Sequence, residues 1–388
     1  MQNQARPLSI TTVTVLGLAF LVAAMGIGRF AFTPLFPLMQ QQDGLSLSQG
    51  AWLATANYLG YLVGALASYV LMPSARNALR WGLLTVAIST TAMALGRHDT
   101  AWLALRFAAG VASALVMVGT SSWALAALAA AGRADRAGWV FSGVGLGIVL
   151  AGLVVLAVAG AGQPAAVAWL LLGLLAFAVA AASWRVPDSS APASDAPSSK
   201  AGLNGTEWAL VLAYGGYGFG YIIPATFLPV MARTLVADPF VFGWAWPFFG
   251  FAGAASTVVV TRHLRTAAPR TVAIWSMLIM AAGVLAPAVS SSFAAIVVSA
   301  LCVGSTFVVM TLVGFQDARR IAQGPPGRLM AAMTAAFAVG QLLGPPLVAL
   351  ASTQGNAILV PSLVATGVLL ACALTLAVGP GAAASRSR

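Results

Sequence analysis

Acidic residues are scarce in this sequence: eight among 388, against 19 Lys and Arg, of which only Lys200 is a lysine. Asp43, Asp99, Asp135, Asp188, Asp195, Glu207, Asp238 and Asp317 fall at the ends of apolar segments or between them, with Glu207 and Asp317 closest to a segment. The segment interiors therefore offer no carboxylate. Cysteine is nearly missing as well. Cys302 and Cys372 both sit inside apolar segments, which excludes a disulfide framework and a metal-binding cysteine spacing. The two histidines, His98 and His263, stand at segment ends. No nucleophile and base pair, metal cluster or phosphate-cradling loop is written in the chain. The glycines of "GIGRFAFTP" make half of a dinucleotide fingerprint, but they lie in an apolar helix rather than after a strand. Neither an enzyme nor a bound metal or cofactor is expected.

What the chain has is hydrophobicity. At 60% apolar, 7% charged and a mean hydropathy of +0.93, it is too apolar for a soluble fold of this length. It reads as an all-α integral membrane protein. A spanning helix needs about 20 mainly apolar residues. Hydropathy and turn residues give twelve such segments, beginning near residues 11, 47, 80, 100, 138, 165, 207, 241, 271, 292, 327 and 356. The first lacks the short apolar core and Ala-x-Ala site of a signal peptide and runs on into Arg29 and two prolines, so it reads as retained.

A net charge of +11 could suggest nucleic acid, but the placement of the charges argues against it. With the N-terminus cytoplasmic, 15 basic residues fall inside: Arg6, Arg76, Arg80, Arg133, Arg136, Arg185, Lys200, Arg262, Arg265, Arg270, Arg319, Arg320, Arg328, Arg386 and Arg388. Only Arg97 and Arg233 fall outside. That asymmetry follows the positive-inside rule and puts both termini in the cytoplasm, as in a bacterial inner membrane. Arg29 and Arg106 remain, the two basic residues that the spans themselves must hold.

The stretch "RVPDSSAPASDAPSSKAGLNGTE", residues 185 to 207, is rich in Pro, Ser, Ala and Asp and cannot form a packed core. It divides the chain into an N-terminal six-helix bundle (1–184), a cytoplasmic linker (185–206) and a C-terminal six-helix bundle with a short cytoplasmic tail (207–388). The halves share residual similarity at an offset of 192: Gly26 and Gly28 match Gly218 and Gly220, and "PLM" at 37–39 matches "PVM" at 229–231. In that register Arg29 pairs with Tyr221. Two parallel six-helix repeats are the architecture of a major facilitator transporter. Small-residue runs such as "GWVFSGVGLGIVLAG", residues 138 to 152, suit close helix packing, and Gly344-Pro345-Pro346 must free carbonyls and bend its helix.

Several stretches resemble one family, the YbfB/YjiJ family of the major facilitator superfamily: "GIGRFAFTPLFPLM", "ANYLGYLVGAL", "GFGYIIPATFLPVMAR", "FGWAW" and "FAVGQLLGPPLVAL". They run from residue 26 to residue 350. The resemblance implies a twelve-helix bacterial inner-membrane transporter whose helices one, four, seven and ten line a central cavity. "LALRFAAGVASAL" looks like the superfamily's fourth-helix motif, an arginine four positions before a glycine, here Arg106 and Gly110. One departure stands out. The loop "LMPSARNALR", residues 71 to 80, lacks the aspartate usual between helices two and three, so a cytoplasmic latch there must be held differently.

Arg29 lies eight residues before Pro37, taken as the exit of the first helix, and Arg106 seven residues after Asp99. At 1.5 Å per residue both sit roughly 10–12 Å below one face. A buried arginine costs on the order of 3 kcal/mol in a bilayer, so neither is expected to face lipid. Two readings stand for each. The guanidinium either lines a watery cavity and meets a carboxylate or phosphate, or it ties carbonyls freed around Gly110 and Pro34 and braces helices. Thr33 shares a helix face with Arg29. Asn57, Tyr217 and Gln341 are buried polar candidates for substrate contact or interhelical bonds, and Trp244 and Trp246 for interface or cavity wall. Gly110, Pro34, Pro37, Gly340, Gly344 and Pro345 are the candidates for gating and helix packing.

The leading expectation is a monomeric secondary transporter of a small organic anion, with proton linkage, anion exchange and uniport all open, and with the lipid bilayer as its other partner. A cation or drug antiporter normally needs the mid-membrane carboxylate missing here. Export of amphiphilic or drug-like compounds is the runner-up, and a non-transporting membrane sensor the third reading.

Overall fold

In the computed structural model, described over residues 8–71, 73–96, 99–187, 202–235, 243–264, 266–323, 326–352 and 358–378, the chain is all helical. The helices in order are α1 (Ile10–Gln42), α2 (Leu47–Leu71), α3 (Ala75–Leu95), α4 (Asp99–Ala130), α5 (Ala134–Gly160), α6 (Ala165–Ser183), α7 (Gly205–Leu235), α8 (Ala245–His263), α9 (Pro269–Val289), α10 (Phe293–Ile321), α11 (Pro326–Ser352) and α12 (Leu359–Val378). Ten of them, all but α2 and α8, are long and apolar enough to cross a membrane. In α2 the polar residues Gln49, Asn57, Tyr58 and Tyr61 dilute the hydropathy. Most of the expected linker lies outside the described residues, as do Arg6, Arg97, His98, Asp188, Asp195, Lys200, Asp238, Arg265, Arg386 and Arg388.

Local chemistry sets the helix ends. Ser9, Ser74 and Ser292 cap α1, α3 and α10 by accepting from the backbone N–H three residues on. Asn204 and Glu207 form a reciprocal capping box at the start of α7, with bonds of 2.8 and 2.9 Å. Helices α4 and α5 stop in paired bonds, Arg133 N–H to Leu128 O and Gln163 N–H to Val158 O. These need a left-handed residue just past each helix, and Gly132 (φ 68°) and Gly162 (φ 65°) supply it.

Small residues let these helices approach at backbone distance. A methyl group on Gly26 would lie 2.3 Å from Gly147 Cα, which brings α1 onto α5. Likewise α2 meets α4 at Gly110 against Asn57 O, α5 meets α8 at Gly145 against Ala254 N, and α7 meets α11 at Gly340 against Gly215 O. Helices α2 and α11, and α5 and α8, join the first six helices to the last six. Outside, the bundle presents leucine, valine and tryptophan. Trp52, Trp81, Trp139, Trp184, Trp208 and Trp275 are exposed near helix ends, the pattern of an aromatic belt at a bilayer surface.

The first helix departs from expectation. It does not end at Pro37 but continues to Gln42, and its middle, Val22–Phe30, winds as nine residues of wide π turns. π turns occur mostly as single bulges at functional sites, so a run of nine is unusual. Arg29 sits at its end.

Candidate functional site at the centre of the bundle

The wide turns of α1 tip carbonyls sideways, and α4 and α2 meet them. Ser113 Oγ lies 2.7 Å from Ala24 O. Arg106 donates from Nη1 to Gly28 O at 3.2 Å and from Nη2 to Arg29 O at 3.1 Å. The second bond has a direct cause: in a wide turn Arg29's carbonyl would look five residues ahead, to Pro34, which has no N–H. Asn57, fully buried, donates to Gly28 O at 3.3 Å and to Arg106 O at 2.9 Å. Arg106 thus spends both terminal nitrogens and Asn57 its amide nitrogen on backbone, while Arg106 Nε and Asn57 Oδ1 have no partner among the described residues. Between the two readings of Arg106, the geometry is that of a brace.

Arg29 is placed otherwise. It is 2% exposed, and its Nη2 donates to Gln341 Oε1 on α11. Gln341 Nε2 in turn donates to Tyr221 OH on α7. Arg29, Gln341 and Tyr221 therefore form one relay that crosses from the first half of the chain to the second. The guanidinium lies face-on to Tyr61, 3.9 Å from the ring centroid, with Tyr58 and Phe30 at 5.2 and 5.5 Å. Its Nε and Nη1, which carry three of its five N–H groups, have no hydrogen-bond partner among the described residues. Nor does any carboxylate among the described residues bond it. Its charge therefore meets one amide oxygen and the faces of three aromatic rings, in a place where desolvation of a cation is costly.

The surroundings are aromatic. Tyr221 stacks on Phe307 and Phe337, with centroids 5.8 and 5.7 Å apart and planes within 13° and 8°. Phe30 touches Phe307 at 6.0 Å and Trp246 at 6.3 Å. Trp246 is fully buried and its Nε1 has no partner among the described residues.

The remaining candidates are placed as follows. Thr33 donates to Ala225 O at 2.9 Å, joining α1 to α7. Tyr217 commits its hydroxyl to Phe307 O. Trp244 sits just before α8, 37% exposed, against Phe248 at 6.0 Å. Pro34 lines a small apolar cleft with Leu38, Val155 and Pro229, and Pro37 O accepts from Arg233 Nη1 at 3.0 Å. Gly344 faces Ile222, and α11 is helical through Pro345 and Pro346. Sequence reasoning missed Phe30, Phe307 and Phe337 as walls of this cluster and did not separate Trp246, which joins it, from Trp244. The adjacency of Phe30 to Arg29 was a usable signal, while Phe307 and Phe337 carried none.

Comparison with known proteins identifies the family. The model of the family described as "Uncharacterised MFS-type transporter YbfB" matches residues 21–377. The chain belongs to this family. It is a multi-pass membrane protein of the major facilitator type, and its family and fold are those of transporters rather than enzymes. The MFS-type transporter YceJ of Bacillus subtilis (strain 168) is 32% identical over 97 residues. That match spans about a quarter of each chain, 24% of both. The crystal structure of a mutant of the nucleoside transporter NupG superposes with a TM-score of 0.71 at 14% identity, covering 94% of this chain and 98% of that one. At that identity the likeness speaks for the fold alone.

Proposed function

We propose that this family member is a secondary transporter of small organic anions. It works by alternating access of two six-helix bundles (1–184 and 207–388) joined by the 185–206 linker. In this reading all twelve helices span the bacterial inner membrane, both termini are cytoplasmic, and the end of the bundle where α1 closes at Gln42 faces outward. One observation carries the anion: the Arg29 guanidinium, 98% buried at the meeting of α1, α7 and α11, with Nε and Nη1 unpartnered and no carboxylate bonded to it among the described residues. Proton linkage would then run through protonation of the substrate, or a second anion would be exchanged. Arg106 supports the backbone of the same site.

The test is ligand-induced thermal stabilisation of the purified protein and of Arg29→Gln against carboxylates, phosphate esters, amines, uridine and neutral amphiphiles. Labelled uptake into sealed liposomes follows for the hit. The expected result is stabilisation of the wild type by one anion class, loss of that response in Arg29→Gln, and a melting temperature for the variant within a few degrees of wild type. Amines or neutral amphiphiles stabilising both proteins equally would overturn the anion reading. The aromatic walls would then favour the exporter of amphiphilic compounds. Binding without movement of label across the liposome would leave a sensor.

A further inference from the structure

Gln341 occupies a peculiar position. Its side chain is fully buried, and its two polar atoms are both spent on the site: Oε1 accepts from Arg29 and Nε2 donates to Tyr221 OH. The backbone that carries it is held against α7, since Gly340 beside it would put a methyl group 2.1 Å from Gly215 O. The amide thus lies as a flat two-headed group between a cation of α1 and a hydroxyl of α7. A carboxylate has that same shape, with two oxygens on one planar carbon. It can accept from Arg29 at one oxygen and, once the phenol turns its proton, from Tyr221 OH at the other.

We infer that the Gln341 carboxamide is a built-in stand-in for the substrate's head group, that the ligand of the Arg29 site is a planar carboxylate, and that it binds by displacing Gln341. This rests on the anion reading above and narrows it. The physical drive is charge. A neutral amide satisfies one nitrogen of a buried guanidinium that has two others idle, whereas an ionised carboxylate makes shorter, roughly twice stronger bonds and supplies the missing negative charge. A phosphate ester has tetrahedral oxygens and up to two charges to desolvate, and does not reproduce the flat bridge. The rest of the ligand meets rings: Tyr58, Tyr61 and Phe30 around the guanidinium, and Phe307 beside Tyr221. An aromatic monocarboxylate therefore fits this surface better than a short aliphatic one. Displacement also has a consequence for the motion. While the amide is in place it ties α1 to α7 and α11, and an incoming carboxylate takes over that tie. Substrate and protein thus compete for one arginine.

The experiment measures dissociation constants and thermal shifts for benzoate, acetate, phenyl phosphate and benzamide on four purified full-length proteins: wild type, Gln341→Ala, Gln341→Glu and Arg29→Gln. Benzoate is expected to bind wild type, to bind Gln341→Ala at least fivefold more tightly because its competitor is gone, and to lose binding to Gln341→Glu by at least tenfold. In that variant a carboxylate of the protein's own already sits on Arg29, and its unliganded melting temperature should rise toward that of benzoate-bound wild type. Acetate should be weaker than benzoate, and phenyl phosphate and benzamide weaker still. Gln341→Glu binding benzoate like wild type, or Gln341→Ala binding it more weakly, would overturn the stand-in. If Gln341→Glu does not fold, the Gln341→Ala result decides alone. Phenyl phosphate matching benzoate would overturn the carboxylate class while leaving the anion reading intact. If no anion binds either wild type or Gln341→Ala, it is the anion reading that has failed.

Discussion

The two central arginines, Arg29 and Arg106, differ in what their terminal nitrogens meet, and the proposed function gives them different roles. Arg106 gives both terminal nitrogens to the carbonyls of Gly28 and Arg29, at 3.2 and 3.1 Å, and its guanidinium lies 5.0 Å from the Phe32 ring. Replacing it removes both bonds at the end of a π-wound segment, leaving Gly28 O to Asn57 alone and Arg29 O without this donor. Each bond to a charged group contributes about 1.5–3 kcal/mol, and the acceptor left behind adds a desolvation penalty. Arg106→Gln is therefore expected to lower stability by about 3 kcal/mol or more, read as a drop in the melting temperature of the detergent-purified protein. Arg29→Gln should leave the melting temperature nearly unchanged and remove the ligand response. A variant pair with the opposite pattern, Arg106→Gln stable but unresponsive to anions, would move the site from Arg29 to Arg106. The contrast was only half legible in the sequence. Counting from Pro37 and Asp99 put the two arginines at one level although the first helix runs on to Gln42, and which one faces backbone depends on the π turns between Val22 and Phe30. A uniformly apolar run has no periodicity from which 4.4 residues per turn could be told from 3.6.

Helix pairing rests on a few glycines whose neighbours leave no room. At Gly340 a methyl group would stand 2.1 Å from Gly215 O and 2.8 Å from Phe219 N, so α11 could not keep its distance from α7. Gly367 in α12 has nothing within 4 Å. Gly340→Ala should thus prevent recovery of folded monodisperse protein or lower its melting temperature by ten degrees or more. Gly367→Ala should be neutral or stabilise by roughly 0.5–1 kcal/mol, the usual gain of alanine over glycine in a helix. Size-exclusion profiles and melting curves of the two variants decide it, and equal behaviour would remove the packing argument. At this scale much was readable beforehand. Long apolar runs bounded by Gly, Pro and charge located the helices to within a few residues, because a bilayer admits few other backbone solutions. What the pattern could not give was partner choice. Glycines in α2, α4, α7 and α11 read alike as small residues, and only three-dimensional placement shows which backbone each one meets.

For the molecule as a whole, two of the ties between halves involve positions 192 apart in sequence. Thr33 donates to the carbonyl of Ala225, its counterpart at that offset, and Arg29 reaches its counterpart Tyr221 through Gln341. Two positions related by a pseudo-twofold axis can touch only beside that axis. In the proposed two-bundle division the site therefore sits on the axis about which the bundles would rock, accessible in turn from either side. Toward the end where α1 closes, two further ties hold the halves together: Tyr58 OH to Thr226 Oγ1 at 2.8 Å, and Arg233 Nη1 to Pro37 O at 3.0 Å. Of these the Arg233 bond is the outermost and can be cut without touching the site. A charge-assisted bond at a partly buried position contributes about 1.5 kcal/mol, so its loss should raise the population open at that end by roughly tenfold. Leu38, buried on the adjacent turn and lining the cleft with Pro34 and Pro229, reports on this opening. With Cys302 and Cys372 replaced by alanine, a cysteine introduced as Leu38→Cys should react severalfold faster with a membrane-impermeant maleimide added to whole cells when Arg233→Ala is also present. A saturating dose of the transported anion should change both rates, since the ligand binds at the axis and rebalances the two faces. Equal labelling rates with and without Arg233 would mean that the bond does not hold the outward face shut. Labelling only in inverted vesicles would mean that this end of the bundle faces the cytoplasm.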